Sequence, residues 1–135
     1  MEVGKPKLEL LRDVYAVCRL DNSAPVPDWG AQGPFFSITR TAQELSVVCS
    51  DAQVPAGVTK ESGWRLFMVR GPLEFSLTGV LSSLTVPLAR ERISIFALST
   101  YDTDYVLVKQ EQLAKAASVL KAEGYEVEEG RRAQA

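Results

Sequence analysis

Histidine is missing from all 135 residues. That excludes imidazole acid/base catalysis, Ser-His-Asp and Cys-His nucleophile arrangements, and every metal site that needs a histidine ligand. Cysteine is scarce: Cys18 and Cys49 lie 31 positions apart, each in an apolar stretch, and no Cys-x-x-Cys pairing occurs. Two buried free thiols are the plain reading, and a disulfide or redox pair stays open. A basic excess is also lacking. The 15 Lys plus Arg against 17 Asp plus Glu leave a formal charge of −2, so nucleic acid is not an expected partner. No apolar run approaches the ~20 residues that span a bilayer, and residues 1–7 lack the apolar core and cleavage site of a secretion signal. A cytoplasmic location without membrane contact is expected. What is present, 46% apolar and 24% charged side chains with nine Gly and seven Pro, is the composition of an ordinary globular chain.

Residues 14–20 are rich in β-formers and run into a cluster of turn residues at 21–28. Residues 35–41 and 45–49 read as a hairpin across the short gap Ala42-Gln43-Glu44. After a polar connector over 50–63, a strand is expected at 64–70, with Trp64 and Phe67 on opposite faces. From 76 to 90 the residues Leu77, Val80, Leu81, Leu84 and Leu88 recur every three or four positions and predict an amphipathic helix, kinked or broken early near Pro87. Residues 93–99 and 104–109 predict a second hairpin, 111–123 a second helix capped by Gly124, and 125–127 a short closing strand.

The order from Trp64 onward is β-α-β-β-α-β, an α+β unit of the ferredoxin-like split type, with an antiparallel sheet and both helices on one face. An offset of 60 maps Phe36 onto Phe96, Ile38 onto Leu98, Leu45 onto Tyr105 and Val47 onto Leu107, so an internal repeat is expected. The first copy is degenerate, because the counterpart of its first helix, residues 21–34, is too rich in proline. Trp29 within it is either a plug over the missing helix or an interface anchor.

The strings Gly71-Pro72-Leu73-Glu74-Phe75-Ser76-Leu77-Thr78-Gly79, Pro87-Leu88-Ala89 and Ser99-Thr100-Tyr101-Asp102-Thr103-Asp104 resemble the ACT domain family. Within it they resemble the small stand-alone prokaryotic ACT-like proteins related to the eukaryotic cytosolic arginine sensors and, more distantly, to aspartate kinase regulatory domains. The likeness is close over residues 64–127 and less distinctive over 14–50. It implies tandem ferredoxin-like ACT units, a degenerate one at 7–62 and a complete one at 63–128; the polar composition of residues 129–135 predicts a disordered tail. It further implies a homodimer that binds a small molecule, usually an amino acid, at an interface between ACT units. Neither catalysis nor a cofactor is implied.

A free amino acid presents a carboxylate, an ammonium and a side chain. Gly71 permits close backbone approach, and a helix beginning near Ser76, with Gly79 in its first turn, exposes unpaired N–H groups suited to a carboxylate. Ser76 also reads as a plain helix cap, and Gly71-Pro72 as a strand end. The stretch Ser99, Thr100, Tyr101, Asp102, Thr103, Asp104 concentrates hydroxyls and carboxylates at a strand-to-strand turn. The resemblance gives Asp104 the cationic end of the ligand and Thr100, Tyr101 and Thr103 the pocket wall, where Tyr101 and Thr103 replace the sensors' phenylalanines. Glu74 adds a carboxylate on the facing segment, so a basic amino acid is the favoured ligand. Solvated turn residues, or an Asp-x-Asp metal site, are the other readings of Asp102 and Asp104. A sensor of this size acts by changing its own assembly or by docking on a separate protein. The alternative is a constitutive dimerisation or interaction module with a vestigial ligand pocket.

Overall fold

The computed structural model describes residue 5 and residues 7–70 and 79–130. In chain order its elements are β1 (Lys7–Leu10), β2 (Tyr15–Leu20), β3 (Ser37–Arg40), β4 (Leu45–Ser50), β5 (Thr59–Val69), α1 (Val80–Arg90), β6 (Ile95–Ser99), β7 (Asp104–Lys109), α2 (Leu113–Ala122) and β8 (Glu126–Glu129). This is an α+β fold in two compact units. Residues 13–64 form one, and residues 65–130 with the chain up to Arg12 form the other.

In the unit of residues 13–64, β2 and β3 each run antiparallel to β4. They are therefore parallel to each other with one strand between them, the split arrangement. Thr59–Trp64, the first half of β5, pairs antiparallel with β2, so part of the expected polar connector is strand. The helices of a complete unit shrink to single 3-10 turns, Asp28–Gly30 and Asp51–Gln53, the first of them flanked by Pro25, Pro27 and Pro34. Trp29 packs on Ala16, Cys18, Leu45, Val47 and Cys49, which is the plug reading. The turn sits tight on the sheet: a Cβ added to Gly30 would come within 2.7 Å of Val47 Cγ1.

The second unit carries the order β5-α1-β6-β7-α2-β8. β6 and β7 pair antiparallel and β7 also pairs with β5. The sheet is not wholly antiparallel, because β1 enters between β5 and β8, antiparallel to the former and parallel to the latter. Residues 7–10, expected with the first unit, thus pair with strands of the second. The cause is a short period-2 pattern: Leu8 and Leu10 are buried and join Phe67, Val69, Leu84, Leu88, Val106, Val108, Ala116 and Leu120 in one core under both helices. Each such leucine contributes about 1.5–3 kcal/mol of burial. On the alternate positions Lys7 pairs with Glu126 and Glu128 at 3.5 and 3.3 Å, and Glu9 meets Arg70 at 3.4 Å. Glu129 and Gly130, expected in a frayed tail, continue this pairing: Glu129 faces Leu10, and the Gly130 N–H donates to the Leu10 carbonyl at 2.6 Å.

α1 does not break at Pro87 but runs on to Arg90. Pro87 costs the amide bond to Ser83, yet Leu84, Pro87 and Leu88 are all buried, and that packing holds the last turn. Both helices end in the same motif. In α2 Gly124 (φ 98°) is left-handed, its N–H reaching the Lys121 carbonyl at 3.0 Å and that of Tyr125 the Leu120 carbonyl at 3.1 Å. In α1 the left-handed position is held by Arg92 (φ 59°), with matching bonds from Arg92 to Ala89 and from Ile93 to Leu88, both 3.0 Å. The repeat offset also differs from the expected 60. Ile38 faces Val47 and Ala97 faces Val106, an offset of 59 that also maps the buried run Val47-Val48-Cys49 onto Val106-Leu107-Val108. A slip of one residue exchanges the two faces of a strand, so the burial decides the register.

Candidate functional site

The β6–β7 hairpin closes with Ser99 facing Asp104. Beyond that pair the Thr100 N–H donates to the Thr103 carbonyl at 2.9 Å, which turns the chain over Tyr101 and Asp102. Tyr101 is 81% exposed at the tip. Thr103 points the other way: it is buried, and its Oγ1 donates to the Val69 carbonyl at 2.7 Å. This bond ties the acidic bend to the end of β5, two residues before Gly71. The bend and the end of β5 therefore lie at the same corner of one unit.

Asp104 is half-buried, and the Ser99 hydroxyl donates to its Oδ1 at 2.6 Å. Among the described residues neither Asp102 nor Asp104 forms an ion pair. Burial pushes the Tyr105 phenol up from its usual range; a bond from Thr100 opposes this, and the charges of Asp102 and Glu9 add to it. Among the charges that reach this phenol is Glu9 on β1, which sequence reasoning missed. Only the Leu8-Glu9-Leu10 alternation could have pointed to it.

Gly71, Pro72, Leu73, Glu74, Phe75, Ser76, Leu77 and Thr78 lie outside the described residues. The helix expected to start near Ser76 starts at Val80, with Gly79 as its N-cap in a left-handed conformation (φ 80°) and no side-chain cap. Gly79 therefore stands before the first turn and not inside it. Among the described residues no three of His, Cys, Asp and Glu converge as a metal site, so the Asp-x-Asp metal reading gains no support. What the bend offers is two carboxylates and several hydroxyls on one hairpin, groups that can accept hydrogen bonds from a cation.

A family model described as an ACT domain matches residues 59–122. Residues 59–122 of the chain belong to the ACT domain family. A second family model, described as an N-terminal domain, matches residues 13–57, the unit in which the ACT helices have shrunk to turns. The solved protein Atu0741 from Agrobacterium tumefaciens is 36% identical, and the match covers 98% of this chain and 99% of that one, with a TM-score of 0.90. Homo sapiens CASTOR3P is 30% identical over 102 residues, 66% of this chain and 63% of that protein. The Bos taurus cytosolic arginine sensor for mTORC1 subunit 1 is 27% identical over 100 residues, 66% of this chain. This ACT chain spans only 30% of that sensor's length. Escherichia coli aspartokinase III, solved with aspartate and ADP, shares the fold at 13% identity and a TM-score of 0.64, over 90% of this chain and 35% of its own.

Proposed function

We propose that this ACT protein is a regulatory module that binds an amino acid with a cationic side chain, held between the bend Ser99–Asp104 and the segment Gly71–Thr78. The observation that carries the reading is the bond from Thr103 Oγ1 to the Val69 carbonyl, because it fixes the acidic bend beside the strand end from which residues 71–78 depart. Asp104 takes the guanidinium or ammonium of the ligand, Asp102 and Glu74 add charge, and Thr100 and Tyr101 line the wall. The likeness to a cytosolic arginine sensor supports a basic ligand and a cytoplasmic protein. Among the described residues no helix is long and apolar enough to cross a membrane. An ACT unit of a second copy completes the crevice in a homodimer, and ligand binding shifts the assembly or its docking on a separate protein target. The module does no catalysis of its own.

A thermal-shift screen of the twenty amino acids tests this. A ligand at ~100 times its dissociation constant adds about 2.7 kcal/mol of stability, so arginine or lysine raises the melting temperature by several degrees. Asp104→Asn keeps an acceptor for Ser99 but loses the charge; its melting temperature without ligand stays at the wild-type value while the arginine shift collapses. Equal shifts in both proteins overturn the assignment. One observation favours a second reading: the Ser99 bond already occupies an oxygen of Asp104, as in a constitutive dimerisation module whose pocket is vestigial. No shift with any amino acid selects that reading.

A further inference from the structure

Cys18 and Cys49 have no part in the site above. In the pairing of β2 with β4, Cys18 faces Val47 and Ala16 faces Cys49. The two cysteines therefore lie on one face of the sheet, a diagonal step apart. Both are at most 1% exposed and belong to the one core cluster that Trp29 covers. Diagonal neighbours hold their Cα atoms ~7–8 Å apart, beyond the ~4.4–6.8 Å that a direct sulfur–sulfur bond usually spans. Two thiols on one face of the sheet at that backbone separation are instead spaced for one bridging atom.

The surroundings restrict what that atom can be. Lys60 faces Cys18 across β5 and is paired with Asp51 at 2.9 Å, while the Ser62 hydroxyl donates to the same carboxylate oxygen at 3.0 Å. The nearby charges cancel, so the surroundings favour an adduct without net charge. Among the described residues no third His, Cys, Asp or Glu joins the pair as a metal site, which removes the four-ligand sites that zinc and iron–sulfur clusters need. A centre that brings its own third substituent and takes two sulfurs fits.

We propose that Cys18 and Cys49 form a preorganised dithiol site for a single thiophilic atom of the trivalent organoarsenic class. With an aryl arsine oxide, both S–H bonds break and two As–S bonds form. The oxide oxygen leaves as water with the two thiol protons, so no electrons are transferred and the adduct is neutral. Access runs through the turn Asp28–Gly30, which has no helix to stiffen it and is held by Gln53 Nε2 donating to the Trp29 carbonyl at 2.7 Å. Local opening of such a segment admits the reagent without global unfolding.

Phenylarsine oxide added to the folded chain tests the site, read by intact mass and by titration of free thiols. One adduct per chain is expected, with the thiol count falling from two to none and the adduct surviving excess 2-mercaptoethanol. In Cys18→Val and Cys49→Val, which fill the core with a residue of similar size, the same monothiol strips the adduct at least tenfold more readily. In guanidinium the wild-type adduct loses its resistance, since the unfolded chain no longer holds the sulfurs together. Gln53→Ala labels faster to the same end point. Wild-type adduct stripped as easily as that of either variant overturns the site, and so does oxidised glutathione producing an intramolecular disulfide with a 2 Da mass loss. An unchanged labelling rate in Gln53→Ala overturns the route of access.

Discussion

Replacing Thr103 with valine removes one hydroxyl and keeps the volume, which isolates the bond on which the site's geometry rests. Thr103 is 7% exposed, and its Oγ1 meets the Val69 carbonyl at 2.7 Å. Losing that donor in a buried corner leaves the carbonyl without its side-chain partner, a change that costs about 1–3 kcal/mol. With about 1.5 kcal/mol as the central value, the melting temperature of a chain this long falls by roughly 5 °C. The bend also comes free of the β5 end, so affinity for a basic amino acid drops by about tenfold, the equivalent of ~1.4 kcal/mol. Thr103→Ser is the control: it keeps the donor and loses one methyl group, at a cost of about 0.8 kcal/mol, and it retains most of the affinity. Urea unfolding and calorimetry on the three proteins give both numbers. If valine is as stable as threonine, or serine falls as far as valine, the hydroxyl does not hold the bend and the reasoning fails.

The two helix ends give an opposed pair. Arg92→Gly relieves a left-handed arginine and stabilises by about 0.5–1 kcal/mol, whereas Gly124→Ala imposes the same strain and costs about 1 kcal/mol; chemical denaturation reads both, and a loss at Arg92→Gly refutes the shared motif. Burial, and then the neighbouring Cys18, push the Cys49 thiol up to about 11. A folded value above the unfolded one means that the associated stability is whole below about pH 9 and is lost as pH rises through about 11, by roughly 2–3 kcal/mol. Cys49→Val flattens that alkaline slope, and an unchanged slope shows that another group causes it.

Periodicity made much of the second unit legible, because each element has its own signal. The stripe Leu84, Leu88 and the stripe Ala116, Leu120 define helices, and Gly124 marks the stop where the structure has it. β1 was not legible: four residues with two leucines are too few to assign, and their partners lie more than 50 positions downstream in β5 and β8. The same distance hid Glu9, whose place near Tyr105 depends on that pairing. The offset error of one residue arose because Leu45 and Tyr105 are both apolar, and only the burial of neighbouring positions separates 59 from 60. At Pro87 local chemistry argued for a break and tertiary packing prevailed. The bend was readable as a turn from its Asp, Ser and Thr content, while the inward aim of Thr103 was not, since nothing local distinguishes it from Thr100.

Because β1 lies between β5 and β8, the stretch 59–122 that matches the ACT family model is not a portable module. Cut out alone, it would lack both β1 and β8 and leave the flank of β5 open, a template for pairing with stray strands. Any fusion, truncation or permutation of this chain has to carry residues 7–10 along.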